Sequence, residues 1–205
     1  MNVMQPELHN NAPSEPRSSE VRTSDINYVW GEFRTGSELA FTAIYKKYMK
    51  DLYHYGERFT DNKELIEDSI HDFFVELWKQ RGSYGDVSNL KFYLLKGFKY
   101  RLLKNIKNSR RLPLQFNIDD DYDFKMVFSN EAEMILKQAA ESQKTNLLKS
   151  INSLSKREKQ AITLRFYDGL SYEEIANIMA LSVKSAYKLM YRALDSLKDH
   201  LPRLY

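Results

Sequence analysis

Residues 171–194 read SYEEIANIMALSVKSAYKLMYRAL, a spacing that fits two helices joined by a short turn. Ser171 stands where it can cap the first helix, whose inward side is Ile175, Ala176 and Met179. Ser182 can cap the second, whose inward side is Ala186, Leu189, Met190 and Ala193. Only Ala180, Leu181 and Ser182 lie between them. A short helix, a tight turn and a longer second helix make a helix-turn-helix, and Ala176 is small where the crossing helices must approach closely. The second helix presents Lys184, Ser185, Lys188 and Arg192 outward, with Ser182 at its amino end. Polar side chains at that end are the ones that read base edges in the major groove. The plainer alternative is a helical hairpin in a larger bundle, its charges merely solvated. Ala180 holds the turn position usually filled by glycine, and a left-handed backbone there is expected to cost about 1 kcal/mol.

Length and composition bound the rest. A chain of 205 residues suits two small domains better than one large one. Hydrophobic residues make up 42%, enough for globular cores, yet no run approaches the roughly 18 apolar residues of a membrane span. The amino end lacks the apolar segment of a secretory signal. Cysteine is absent, which excludes disulfides, thiolate zinc sites and cysteine nucleophiles together. The expected location is therefore cytoplasmic, without membrane insertion. With seven Gly and five Pro, the body reads as all-α: two small helical domains joined by a flexible acidic linker.

The boundaries follow from patterning. Residues 1–24 are polar and without periodicity, as in a disordered tail. A first helical domain is expected over 25–108. Ser37 caps one helix there, and Asp61 with Glu64 has the form of a capping box opening another. The loop RGSYGDVSN, 81–89, precedes a helix beginning near Leu90. Residues 109–130 form the linker, with Pro113 and the run Asp119, Asp120, Asp121 and Asp123. The second helical domain takes 131–205. Such a tether is expected to leave the two domains unoriented in the free chain.

Charge is informative by position. The net charge is only +3, but between Lys91 and Arg111 there are eight basic residues and no acidic one. Projected at about 100° per residue, Leu94, Leu95, Phe98, Leu102 and Ile106 fall on one face, and Tyr93, Lys96, Tyr100, Lys104 and Lys107 on the other. Cations neutralise phosphates and aromatic rings stack on unpaired bases whatever their identity, so this helix suits opened single-stranded DNA. The alternative is a solvated basic helix whose tyrosines pack on a neighbour. On the preceding helix, Glu67, Asp68, His71, Asp72 and Glu76 make a polar face opposite Ile66, Ile70, Phe73 and Leu77. That face reads as a protein-docking surface or as solvated charge. One histidine with scattered carboxylates and no second cluster does not point to a metal site.

Three segments carry a family resemblance. LSKREKQAITLRFYDGLSYEEIANIMALSVKSAYKLMYRALDSLK, from Leu154, resembles region 4 of sigma-70-family factors of bacterial RNA polymerase, most nearly the extracytoplasmic-function group. LuxR-type regulators share much of that pattern. EDSIHDFFVELW, from Glu67, resembles region 2.2 of the sigma family, which LuxR-type proteins lack, and LKFYLLKGFKYRLLKNIKNSRR, from Leu90, resembles regions 2.3 and 2.4. The linker composition and the Tyr-rich basic helix are similar to those of Bacteroidetes members of the group.

The resemblance implies a sigma factor rather than an enzyme, with no cofactor. Its implied partners are core RNA polymerase, promoter DNA and an anti-sigma factor. Glu67, Asp68, His71, Asp72 and Glu76 would dock polymerase. Tyr84, Asn89, Tyr93, Lys96, Lys99, Tyr100 and Lys104 would serve the −10 element, and Ser182, Lys184, Ser185, Lys188 and Arg192 the −35 element. The family's linker runs through the RNA exit path. Three departures stand out: His71 where Gln is usual, Tyr93 where Trp is usual, and Tyr100 where Asn is usual. The last implies an altered −10 base preference. The rival readings are a LuxR-like regulator that never joins polymerase and a metal-dependent nuclease using His71 and nearby carboxylates.

Overall fold

A computed structural model describes residues 26–109, 124–126, 134 and 141–200. Every regular element among them is helical. The first group comprises α1 (Ile26–Arg34), α2 (Glu38–Gly56), α3 (Lys63–Lys79), a 3-10 turn at Arg81–Ser83, and α4 (Leu90–Ser109). The second comprises α5 (Glu141–Ser153), α6 (Lys156–Ile162), a π-helical turn at Thr163–Tyr167, α7 (Tyr172–Ile178) and α8 (Val183–His200). Among the described residues no helix is long and apolar enough to cross a membrane. The expected tail, nearly all of the linker and the last five residues lie outside the described residues.

Caps set the helix starts. The Ser37 hydroxyl accepts from the Ala40 amide at 3.2 Å, as its position predicts. At α3 the cap is Asn62, which accepts from the Leu65 amide at 3.0 Å, and not Asp61, whose carboxylate pairs instead with Lys125. Ser155 with Glu158 and Ser171 with Glu174 each form reciprocal capping boxes. Ser182 accepts from the Ser185 amide at 3.1 Å and opens α8.

The first group is built around α4, which packs on α1, α2 and α3. Leu94, Leu95, Phe98 and Leu102 are fully buried there. Trp30 of α1 lies in the same core, stacked on Phe33 at 5.0 Å, with its indole N–H donating to the Gly85 carbonyl at 3.0 Å. That bond fixes the loop entering α4. Phe124, one of the few described linker residues, is buried edge-on against Phe59 at 5.3 Å, and the Lys125 amide donates to the Arg58 carbonyl at 2.8 Å. The linker is thus pinned to the first group at that point.

In the second group α8 packs on α5, α6 and α7, and Ile175, Ala176, Met179, Ala186, Leu189, Met190 and Ala193 are buried as expected. The segment is not regular α-helix throughout. At Thr163–Tyr167 the ladder widens, with the Asp168 amide donating to the Thr163 carbonyl at 3.1 Å. The Arg165 guanidinium secures this turn through the Leu170 carbonyl at 2.8 Å. Ala180 has φ of 51°, the left-handed conformation foreseen for the turn.

The two groups touch. The Lys99 ammonium of α4 donates to the Ile178 carbonyl at the end of α7 at 2.9 Å. The Asn89 amide donates to Glu174 at 2.8 Å, and Arg58 faces Asp168 at 3.5 Å. The expectation of two unoriented domains is corrected by these contacts, which a reading of helix periodicity within each domain does not reveal.

Two substitutions test the packing by urea denaturation followed by circular dichroism. Ala180 is exposed and has a left-handed φ of 51°. Ala180→Gly should relieve about 1–2 kcal/mol of left-handed strain and lose about 0.4–1 kcal/mol through a freer unfolded chain, raising stability by up to about 1.6 kcal/mol. Gly56→Ala should lower it by about 1–3 kcal/mol, because a Cβ there would meet Ile66 at 2.8 Å and Phe98 at 3.4 Å, both fully buried.

Candidate nucleic-acid interfaces

On α8, burial of Ala186, Leu189, Met190 and Ala193 turns Lys184, Ser185, Lys188 and Arg192 to solvent. All four expected side chains therefore share the exposed side, and Ser182 sits at its amino end as the cap. The face holds two aromatic rings that the sequence reading did not single out. Tyr191 is 71% exposed and lines a shallow depression with Ser185, Lys188 and Arg192. Tyr187 stacks on Tyr172 at 3.9 Å, beneath the Arg165 guanidinium. Their signal was available: both occupy outward positions between the buried residues of an amphipathic helix. Cations beside exposed rings can neutralise phosphates while the rings contact sugars or bases.

The second surface belongs to α4. Lys96, Tyr100 and Lys104 recur every four residues and are exposed, Tyr100 at 74%. The ridge spans about 12 Å at 1.5 Å per residue. Tyr93 begins the same face but is half-buried, lying 5.6 Å from Trp30 and 5.8 Å from Tyr84. Burial pushes both the Tyr84 and Tyr93 phenols above their ordinary pKa, with Tyr93 adding to the effect on Tyr84. These two tyrosines are therefore packing residues that also keep an exposed edge. Asn89 accepts from the Phe92 amide at 3.1 Å, capping α4, while its amide group reaches Glu174. Lys99 does not stand with the exposed cations. It is 6% exposed, because it is four residues from Leu95 and three from Leu102, on the apolar side. Its stem lies among those leucines, and its ammonium caps the carbonyl end of α7.

The acidic face of α3 is partly as expected. Glu67, Asp68, His71 and Asp72 are exposed. Glu76 is engaged within the chain, paired with Arg101 of α4 and accepting from Gln80 at 3.0 Å. Among the described residues, no group of three or more His, Asp or Glu is placed to hold a metal ion.

Residues 144–197, which hold α7, the turn and α8, match the family model for sigma-70 region 4. The similarity to curated relatives is longer than that segment. The ECF RNA polymerase sigma factor SigM of Bacillus subtilis (strain 168) is 26% identical over 155 residues, 76% of this chain and 91% of that protein. An overlap of that length must include much of the first helical group. Along most of its length the chain is thus similar to an extracytoplasmic-function sigma factor, and its residues 144–197 carry the sigma-70 region 4 match. Two solved structures share the fold. CnrH in complex with the cytosolic domain of CnrY has a TM-score of 0.54 at 18% identity, covering 85% of this chain and 96% of its own. The sigma factor RpoE with the anti-sigma factor NepR, from Bartonella quintana, scores 0.52 at 19% identity, covering 78% and 94%.

The pairing of Glu76 separates it from its neighbours on α3. Asp68→Lys with Asp72→Lys should alter stability by less than about 0.5 kcal/mol, as for exposed positions generally. Glu76→Lys, which sets a second cation against Arg101, should lower the thermal midpoint measurably in the same calorimetric comparison.

Proposed function

We propose that this chain is the promoter-specificity subunit of a bacterial RNA polymerase: a cytoplasmic sigma factor of the extracytoplasmic-function type, not itself an enzyme. The observation that carries the reading is the combination, on one chain, of two cationic and aromatic helix faces with an acidic helix between the core and solvent. Region 4 alone would serve equally in a LuxR-like regulator, but that reading leaves the first helical group, and the similarity extending across it, without a purpose.

In this reading residues 25–108 act as region 2 and residues 131–205 as region 4, joined by 109–130. Glu67, Asp68, His71 and Asp72 offer the exposed charge that docks the polymerase core, and Glu76 holds α4 against that helix through Arg101. Lys184, Ser185, Lys188 and Arg192 receive the −35 duplex in the major groove, with Tyr191 beside them. Lys96, Tyr100 and Lys104 receive the −10 strand once it is unpaired. Tyr93, Tyr84 and Asn89 shape the entrance to that surface. An anti-sigma protein is the expected regulator, of the kind that RpoE binds in its solved complex.

The chemistry divides into steps that mutation can separate. Stacking of a base on an aromatic ring is worth roughly 1–3 kcal/mol, and it contributes only after strand separation. Tyr100→Ala should thus leave folding, polymerase binding and closed complexes intact while lowering open complex by about one to two orders of magnitude, read by permanganate reactivity of unpaired thymines. A template with a pre-melted −10 bubble should recover part of the loss. Lys184→Ala with Lys188→Ala should instead weaken closed-complex formation, with little rescue by the bubble. Asp68→Lys with Asp72→Lys should weaken association with core polymerase in a gel shift. Wild-type footprints from Tyr100→Ala would remove the melting role from α4.

A further inference from the structure

The loop 81–89 that enters α4 has little of its own to hold it. Arg81–Ser83 make a 3-10 turn, closed by the Ser83 amide donating to the Gln80 carbonyl at 2.8 Å. Among the described residues, no backbone hydrogen bond closes the stretch from Tyr84 to Ser88. Gly82 and Gly85 have open space where a Cβ would lie, and neither has a positive φ. Neither turn geometry nor packing therefore calls for glycine there, and two glycines widen the freedom of such a stretch. Its order comes from another element.

That element is α1. Trp30 and Arg34 stand four residues apart, one turn of the helix, on the same side. The Trp30 indole N–H donates to the Gly85 carbonyl at 3.0 Å, and the Arg34 guanidinium pairs with the carboxylate of Asp86, the next loop residue. The Tyr84 ring stacks on the Trp30 indole at 5.8 Å. Two α1 side chains thus grip three consecutive loop residues. The turn after α1 holds the start of the loop as well. Gly36, with φ of 101°, brings the backbone so close to Arg81 that a Cβ there would stand 3.4 Å from its ε-nitrogen. Arg81 in turn lies over the Trp78 ring at 4.3 Å and donates to the Trp78 carbonyl at 2.9 Å.

We propose that α1 is a brace for the −10 loop, with Trp30 and Arg34 as positioning residues that hold Tyr84, Gly85 and Asp86 in the shape in which the loop receives the unpaired −10 strand. The purpose rests on the sigma reading; the bracing itself does not. A loop ordered before binding has no backbone freedom left to surrender when DNA arrives, so the brace improves affinity for the opened strand without touching it. Trp30 also packs on Phe33 and Tyr93, and a residue serving only the core would be buried in the same way. The two roles divide within the side chain: the ring serves the core and the N–H serves the loop. Arg34 divides them further, because an ion pair whose carboxylate is 98% exposed contributes little to folding.

Cysteine is absent from the chain, so a single nitroxide can be placed at Ser88→Cys, an exposed loop position, and its mobility read by continuous-wave electron paramagnetic resonance in the full chain. The otherwise wild-type chain should give an immobilised spectrum. Trp30→Phe with Arg34→Gln, which keeps a ring in the core and removes both holds, should give a mobile one. Arg34→Gln alone should move the spectrum in the same direction at an unchanged thermal midpoint. Exchanging the pair, Arg34→Asp with Asp86→Arg, should restore the immobilised spectrum. The functional arm adds core RNA polymerase to each unlabelled chain. On a fluorescent template with a pre-melted −10 region, Trp30→Phe with Arg34→Gln should bind about two- to tenfold more weakly, the range of one lost hydrogen bond. Binding to a duplex carrying the −35 part alone should not change, and the exchanged pair should bind the bubble as the wild type does. A wild-type spectrum from both Arg34→Gln and the double variant overturns the brace. A mobile loop with undiminished affinity for the bubble overturns its purpose in DNA binding. A wild-type chain that fails to bind core counts against the sigma reading alone, since the spectra read the brace without polymerase.

Discussion

Burial of one side of α4 is the constraint on which the rest depends. Leu94, Leu95, Phe98 and Leu102 are fully buried, and each fully buried side chain of that size contributes on the order of 1.5–3 kcal/mol. A single straight helix cannot bury those residues without turning Lys96, Tyr100 and Lys104 outward. The cationic ridge is a geometric consequence of the core, with no separate device to hold it. The seam is close: a Cβ on Gly97 would stand 2.8 Å from the Phe73 ring of α3, so the helix carries glycine at a mid-helix position where that residue costs about 1 kcal/mol. The same packing brings Arg101 to Glu76, tying the basic helix to the acidic one.

The second group obeys the same rule with a different outcome. Its α8 buries a stripe of small and flexible residues, Ala186, Leu189, Met190 and Ala193, which lets α7 cross closely. The capping box at Ser171 and the strained turn at Ala180 fix where α8 begins, and so where Lys184 and Ser185 emerge. Between the groups polar contacts are added to the apolar ones. Ion pairs and single hydrogen bonds hold one group against the other alongside an apolar cluster that runs through both.

Much of this was legible in the sequence because local rules govern it. Ser37, Ser171 and Ser182 cap as their positions suggest, and the left-handed turn at Ala180 was readable from the absence of the usual glycine. The buried faces of α4 and α8 followed from periodicity. The misreadings have two causes, residue type read ahead of spacing and partners distant in sequence. Lys99 was grouped with the DNA-facing cations because it is a lysine, although its spacing from Leu95 and Leu102 puts it on the apolar side. Asn62 replaced Asp61 as a cap because the helix starts one residue later and Lys125, far away in sequence, takes the aspartate. Arg58 and Asp168 are separated by 110 residues, and no local pattern announces such a pair. The aromatic rings of Tyr187 and Tyr191 were visible at outward positions, yet tyrosine in a helix is read first as packing.

The central claim is that this chain confers promoter specificity on a polymerase. It is tested most directly by transcription in vitro from a genomic promoter library, using core RNA polymerase with and without the purified protein. The account predicts a defined subset of transcripts that appear only when the protein is added and that start downstream of a shared two-part sequence. Transcript profiles that are the same with and without the protein, although the protein is folded and in excess over core, would contradict it.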